Sequence, residues 1–185
     1  MDQPADLVVL LDDDEQPVGT APRAEVHDAS TPLHLAFSCY LFDRAGRVLV
    51  TRRAVTKRTW PGVWTNSFCG HPRPGEPLEA ALARRAREEL GVTVADVRCV
   101  LPAFRYRAVD PSGVVENEVC PVFTATCVDD PGSIVPDPDE IAGLQWLDPH
   151  GLEAAVAAAP WALSPWLLEQ HDQLRRLDGW PRAVR

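Results

Sequence analysis

Two pairs of residues, each split by one position, carry the groups best suited to bind metal and move protons. Cys69 and His71 flank Gly70, and Glu116 and Glu118 flank Asn117. On an extended strand alternate side chains leave the same face, so each pair would present both of its groups to one side. Imidazole nitrogens mixed with carboxylate oxygens suit Mn²⁺, Zn²⁺ or Fe²⁺ better than Mg²⁺. His27 and His34 supply two more imidazoles, whereas His150 and His171 fall in or beside predicted helices and receive no role. A lone histidine or cysteine ordinarily does no more than pack, and spacing alone does not bring these residues together.

A third set of groups lies on a predicted helix. Residues 70–92 read GHPRPGEPLEAALARRAREELGV. Gly70, Glu76, Arg84, Glu88, Glu89 and Gly91 fall on a pattern that resembles the Nudix signature, in which helix carboxylates gather around magnesium and magnesium neutralises diphosphate. Arg85 departs from the pattern, standing where a glutamate is usual. That change removes one metal ligand and adds a planar fork suited to phosphate, which argues against hydrolysis and for diphosphate binding. A charged run such as RRAREE ordinarily faces water; the complete glycine and glutamate spacing around it reverses that preference. Residues 44–58 add Arg44, Arg47, Arg52, Arg53, Lys57 and Arg58 without a single acid, in a chain whose net charge is -9.

The elements that must position these groups are read from pattern. Apolar runs and turn signals predict strands at 7–11, 33–42, 47–52, 67–71, 97–108, 116–127 and 141–148. Asp12–Gly19 reads as turn-rich, and residues 53–76, with many Trp, Pro and Gly, read as an ordered loop. Helices are expected at 76–91, stopped by Gly91, at 151–158 and at 164–177. Strands on both sides of a central helix imply an α/β (α+β) sandwich of mixed β-sheet with flanking C-terminal helices. The 185 residues, 45% of them apolar, suffice for a single domain over 1–185. Its core would span about 30–175, with a mobile N-terminal segment and a C-terminal tail.

Composition also excludes classes. An acidic chain is a poor match for nucleic acid or an anionic membrane. The longest apolar runs, such as Leu7–Leu11, are far too short to span a bilayer. Five cysteines and no export signal suggest free thiols in the cytoplasm. A monomer is the expected state, with a dimer as the alternative.

Longer segments carry a closer resemblance. HLAFSCYLF, TRRAVTKRTWPGVWTNSFCGHP, FRYRAVDPSGVVENEVCPVF and PWALSPW, together reaching roughly residues 5–175, resemble the type I isopentenyl-diphosphate isomerases, which have a Nudix-like fold. The resemblance implies interconversion of isopentenyl and dimethylallyl diphosphates through a tertiary carbocation, a step of isoprenoid biosynthesis. It implies a metal site of His27, His34, His71, Glu116 and Glu118 for one Mn²⁺ or Zn²⁺. It also implies a Mg²⁺ that arrives with the diphosphate and is held by Glu89 and the Cys69 carbonyl. Cys69 and Glu118 would be the catalytic pair, with Tyr106 beside Glu118 in a proton relay and Trp166 facing the cation. Arg53, Lys57 and Arg85 would contact diphosphate, as would Arg23, where relatives often have lysine. Two other readings share parts of this pattern: a Nudix diphosphohydrolase acting on nucleotides, and a metal-binding sensor of a diphosphate ligand.

Overall fold

Backbone pairing resolves the chain into twelve strands and three α-helices among the described residues, 6–180, of the computed structural model. The N-terminal strand β1 (Leu7–Leu11) pairs with β2 (Pro17–Pro22). After a loop come β3 (His34–Leu35), β4 (Phe37–Phe42), β5 (Val48–Arg53), β6 (Trp64–Thr65) and β7 (Phe68–Gly70). Helix α1 (Leu78–Leu90) is followed by β8 (Val94–Leu101), β9 (Arg105–Val109), β10 (Val115–Val119), β11 (Val122–Cys127) and β12 (Ile141–Leu147). Helices α2 (Pro149–Ala158) and α3 (Pro165–Leu174) close the order.

The strands form two sheets. One runs β2-β1-β3-β10-β9; the other runs β12-β5-β4-β11-β8, with β6 added to β5 and β7 added to β4. This corrects three continuous strands expected from sequence. The run 33–42 divides at Ala36, 97–108 divides at 102–104, and 116–127 divides at Cys120–Pro121. Each division carries the chain from one sheet to the other. Pro102 and Pro121 have no N–H to give a ladder, so the second and third breaks fall where pairing is weakest. The strand Pro17–Pro22 is a further correction, because two prolines and an almost fully exposed face hide an edge strand.

Helix α1 lies against the second sheet. Its buried residues Ala81, Leu82, Ala86 and Leu90 join Phe37, Leu41, Leu49 and Phe123 in one apolar cluster. Pro77 precedes the first turn, and Gly91 ends the helix at φ 68°, its N–H bonded to the Ala86 and Arg87 carbonyls. A left-handed residue there favours glycine. Gly70 is needed for a different reason. A Cβ on it would stand 2.8 Å from Arg85 Cγ and 3.0 Å from the Phe37 ring, so its bareness lets α1 lie close over β7.

At the other end of the site, Ser164 caps α3 by accepting from the Leu167 N–H. Its hydroxyl meets Thr65 Oγ1 at 2.8 Å, and its own N–H donates to the Trp64 carbonyl at 2.8 Å. These bonds fix the first turn of α3 to β6 and thereby place Trp166, which is buried with Tyr40, Phe104 and Tyr106 in a second apolar cluster. No helix among the described residues is long and apolar enough to cross a membrane. Residues 1–5 and 181–185, parts of the expected mobile segment and tail, lie outside the described residues.

Candidate metal centre and active site

Strand β10 is the backbone of the site. It lies between β3 and β9, and its register sets Glu118 opposite His34 on one side and opposite Tyr106 on the other. Side chains at paired positions share a face, so the three meet in a row. Tyr106 Oη donates to Glu118 Oε2 at 2.9 Å, and Glu118 Oε1 lies 3.4 Å from His34 Nε2 and 3.1 Å from His71 Nε2. His27 arrives from the loop before β3. That loop is tied to β10 by the Val115 N–H donating to the Asp28 carbonyl and the Asn117 amide donating to the Thr31 carbonyl.

The ligand atoms of His27, His34, His71 and Glu118 all lie within 4.8 Å of one another. Glu116, the fifth residue of the expected set, stands at the margin: its Oε2 is 3.1 Å from His27 Nε2, while its Oε1 accepts the Thr59 hydroxyl at 2.5 Å. The fit to a cation is seen in the imidazoles. His34 Nδ1 donates to the Pro32 carbonyl at 2.9 Å, which orients the ring and turns Nε2 toward the cluster. Nε2 of His27 and of His34 are both buried and make no hydrogen bond. Orphaned buried nitrogens converging on carboxylates are costly unless a cation joins them. The donor set, three imidazoles and carboxylate, is that of a transition metal or zinc.

Cys69 reaches the same cavity from the second sheet, through β7. Its thiol donates to Asn66 Oδ1 at 3.3 Å and lies 3.3 Å from Ser38 Oγ. Asn66 is fully buried, and its amide N–H groups donate to the Cys39 and Phe68 carbonyls, which turns its oxygen toward Cys69 and toward the Trp166 indole N–H at 3.1 Å. Burial pushes the Cys69 thiol up to about 11, so it is neutral near pH 7. For Glu118, burial acts upward too, but the His34 and His71 imidazoles overcome it and hold the carboxyl well below the usual carboxylate range. The cavity between the two, about 690 Å³, is also lined by Phe68, Tyr106, Trp166 and Ile141. The Tyr106 and Trp166 ring centres are 5.6 Å apart, and the Arg53 guanidinium sits 5.5 Å from the Trp166 ring centre.

The charged end of the cavity holds the remaining expected residues. Arg85 pairs with Glu88 at 3.1 Å, Glu89 at 2.5 Å and Glu140 at 3.1 Å. Lys57 donates to the other oxygen of Glu140. Arg53 is bound to Thr59, and Arg23 pairs with Asp6 at 2.5 Å on a more exposed wall. Burial raises the proton affinity of Glu89, with the Arg85 charge acting against it. Glu140, Thr59, Asn66 and Ser38 are site residues that sequence reasoning missed. Glu140 sits in the acidic run DPDE and Thr59 ends the cation-rich stretch, and neither position carries a signal apart from its neighbours.

Comparison with known proteins gives a consistent picture. Residues 32–167 match the Nudix domain family. A protein of Mycolicibacterium vanbaalenii named isopentenyl-diphosphate Delta-isomerase is 64% identical over 166 residues, covering 90% of this chain and 90% of that one. Its namesake in Leifsonia xyli subsp. xyli is 58% identical over 181 residues, covering 97% and 96% of the two chains. Among solved structures, a Deinococcus radiodurans protein superposes with a TM-score of 0.67 at 24% identity, covering 90% of this chain and 98% of its own, which is a likeness of fold.

Proposed function

The chain belongs to the Nudix family and, within it, to the isopentenyl-diphosphate Delta-isomerases, and from that premise we propose how its own residues carry the reaction. The enzyme interconverts isopentenyl and dimethylallyl diphosphates, a step of isoprenoid biosynthesis. An unactivated alkene is protonated at its terminal carbon, a tertiary carbocation forms, and a proton leaves the carbon nearer the diphosphate ester. Atoms balance with one acid and one base, and the reverse reaction exchanges their parts.

Cys69 and Glu118 are that pair. The single observation that carries this reading is their placement: a neutral thiol from one sheet and a hydrogen-bonded carboxylate from the other line one cavity. Tyr106, donating to Glu118 Oε2, orients the carboxylate and hands protons to and from it. Proton transfer by a positioned side chain contributes on the order of 10²–10⁴-fold. Trp166 and Tyr106 offer ring faces to the cation. A desolvated cation–π contact is worth about 2 kcal/mol, and neither ring is a nucleophile that would trap it.

His27, His34, His71, Glu118 and, at the margin, Glu116 would hold one Mn²⁺ or Zn²⁺. Bound there, the ion supplies fixed positive charge beside Glu118. Glu89 and the Cys69 carbonyl would help hold Mg²⁺ brought by the substrate, and Arg23, Arg53, Lys57 and Arg85 would face the diphosphate. Hydrolysis is disfavoured because the helix position of a third carboxylate holds Arg85, itself locked among Glu88, Glu89 and Glu140. The whole chain acts as one catalytic domain, since both sheets build the site. Free thiols suit a cytoplasmic enzyme.

The test is direct. Purified protein with Mg²⁺ and isopentenyl diphosphate in D₂O should yield dimethylallyl diphosphate and deuterium-labelled forms of both. Cys69→Ala or Glu118→Gln should remove nearly all exchange while circular dichroism is unchanged. A variant with near-normal exchange would reject the pair, and phosphate or pyrophosphate release from nucleotides would point back to hydrolysis.

A further inference from the structure

Between the metal ligands and the diphosphate-facing cations stands one hydroxyl. Thr59 is 5% exposed. Its Oγ1 donates to Glu116 Oε1 at 2.5 Å and accepts from Arg53 Nη2 at 3.0 Å. Arg53 also donates to the Thr59 carbonyl through Nε at 3.2 Å and Nη2 at 2.9 Å. The second oxygen of Glu116 lies 3.1 Å from His27 Nε2. A guanidinium can only donate and a carboxylate can only accept, so the single hydroxyl proton must point at Glu116 and its lone pair at Arg53. No other arrangement satisfies both neighbours.

The loop bearing this hydroxyl is held from two sides. The Arg53 N–H donates to the Val63 carbonyl, and the Trp60 N–H donates to Asp110 Oδ2 at 3.2 Å, on the turn between β9 and β10. Trp60 itself is left-handed at φ 47°, a conformation that a bulky side chain adopts only where its surroundings impose it. Thr59 is thereby held against Arg53 through its carbonyl as well as its hydroxyl. Fixing Glu116 fixes the Thr59 rotor, and the rotor fixes the direction of the Arg53 fork, which also lies over Trp166.

We propose that Thr59 is a positioning residue that couples the metal centre to the diphosphate site, so that a cation at the histidine–glutamate cluster tightens diphosphate binding through Arg53. The inference rests on the metal-centre reading given above. Because coupling between binding sites is reciprocal, it can be read from either ligand.

The probe is 3-methylbutyl diphosphate, a saturated ligand with no alkene to protonate. Protein stripped by chelator and protein loaded with one equivalent of Zn²⁺ are each titrated calorimetrically at one pH, with Mg²⁺ in excess in both arms to keep the diphosphate from extracting zinc. Wild-type protein should bind the probe about tenfold tighter when zinc-loaded, within the usual range of such couplings. Thr59→Val should reduce that ratio below about twofold, and Thr59→Ser should restore it, a rescue that shape alone would not produce. Full coupling in Thr59→Val overturns the proposal. So does wild-type protein that takes up zinc yet binds the probe equally well in both states, with the metal-centre reading left standing. Wild-type protein that takes up no zinc removes that reading and the inference with it. Should Thr59→Val not fold, by circular dichroism, Thr59→Ala takes its place and the wild-type comparison still decides.

Discussion

The two ends of the cavity balance charge in opposite ways. At the histidine end three imidazoles and a carboxylate converge, and two buried nitrogens have no hydrogen-bond partner. At the arginine end two cations already have anions, since Arg85 is ringed by Glu88, Glu89 and Glu140 and Lys57 shares Glu140. The first end is built for a positive charge that must be added. In the second, Arg85 and Lys57 are neutralised in advance, and a diphosphate reaching them competes with the protein's own carboxylates. One pocket can thus be short of cations and supplied with them a few residues apart, and the difference is set by which element each group rides on.

The largest expected effect comes from the groups between the two ends. Glu118→Gln keeps the shape and an acceptor but loses the group that takes and gives the proton, and kcat should fall on the order of 10⁴-fold, with Cys69→Ala falling at least about 10²-fold. Steady-state kinetics with KM unchanged within about threefold would mark a chemical loss and not a binding loss. Next is metal addition. Zn²⁺ at about 100 times its Kd should stabilise the fold by about 2.7 kcal/mol, seen as a raised Tm in thermal melting. His34→Ala should remove that rise; an equal rise in the variant would place the ion elsewhere and erase the contrast between the two ends.

A smaller effect tests the arginine end. Glu140→Gln removes the competing anion, so KM for isopentenyl diphosphate should fall severalfold, on the order of 1 kcal/mol for a partly screened charge pair. A rise in KM would show Glu140 to be an anchor for Lys57 and Arg85 instead of a competitor. The smallest effect is on acid stability. Burial acts to raise the Glu140 carboxyl, but Lys57 and Arg85 outweigh it and hold it at about 2. A folded value below the unfolded one gives stability that is complete above the unfolded value, about 4.3, and is lost as pH falls toward the folded one. Urea unfolding of metal-free protein should therefore show a shallower loss between those two values in Glu140→Gln than in wild type.

Much of the fold was legible. Helix α1 is announced by alanine, leucine and arginine with Gly91 at its end, and the alternation that pairs Cys69 with His71 and Glu116 with Glu118 is a local property of extended chain. The strands at 97–108 and 116–127 look continuous in sequence because apolar runs do not say which sheet they belong to. Pro102 and Pro121 mark the crossings, but proline also occurs at edges and bulges, so only the pairing partners distinguish those cases. Glu140 and Thr59 were not legible, for each matters through a neighbour far away in the chain: Lys57 and Arg85 for one, Glu116 for the other.

By itself the sequence determined the types of chemistry available, the local faces on which carboxylates, imidazoles and thiol would stand, and through resemblance the reaction they serve. Tertiary structure alone decided that His34, Glu118 and Tyr106 line up across one sheet, that Cys69 enters the same cavity from the other, and that Arg85 is paired before any ligand arrives. The physical reason is range. Helix stops and strand alternation act over a few residues, whereas strand register and ion pairing act between segments that only folding brings together.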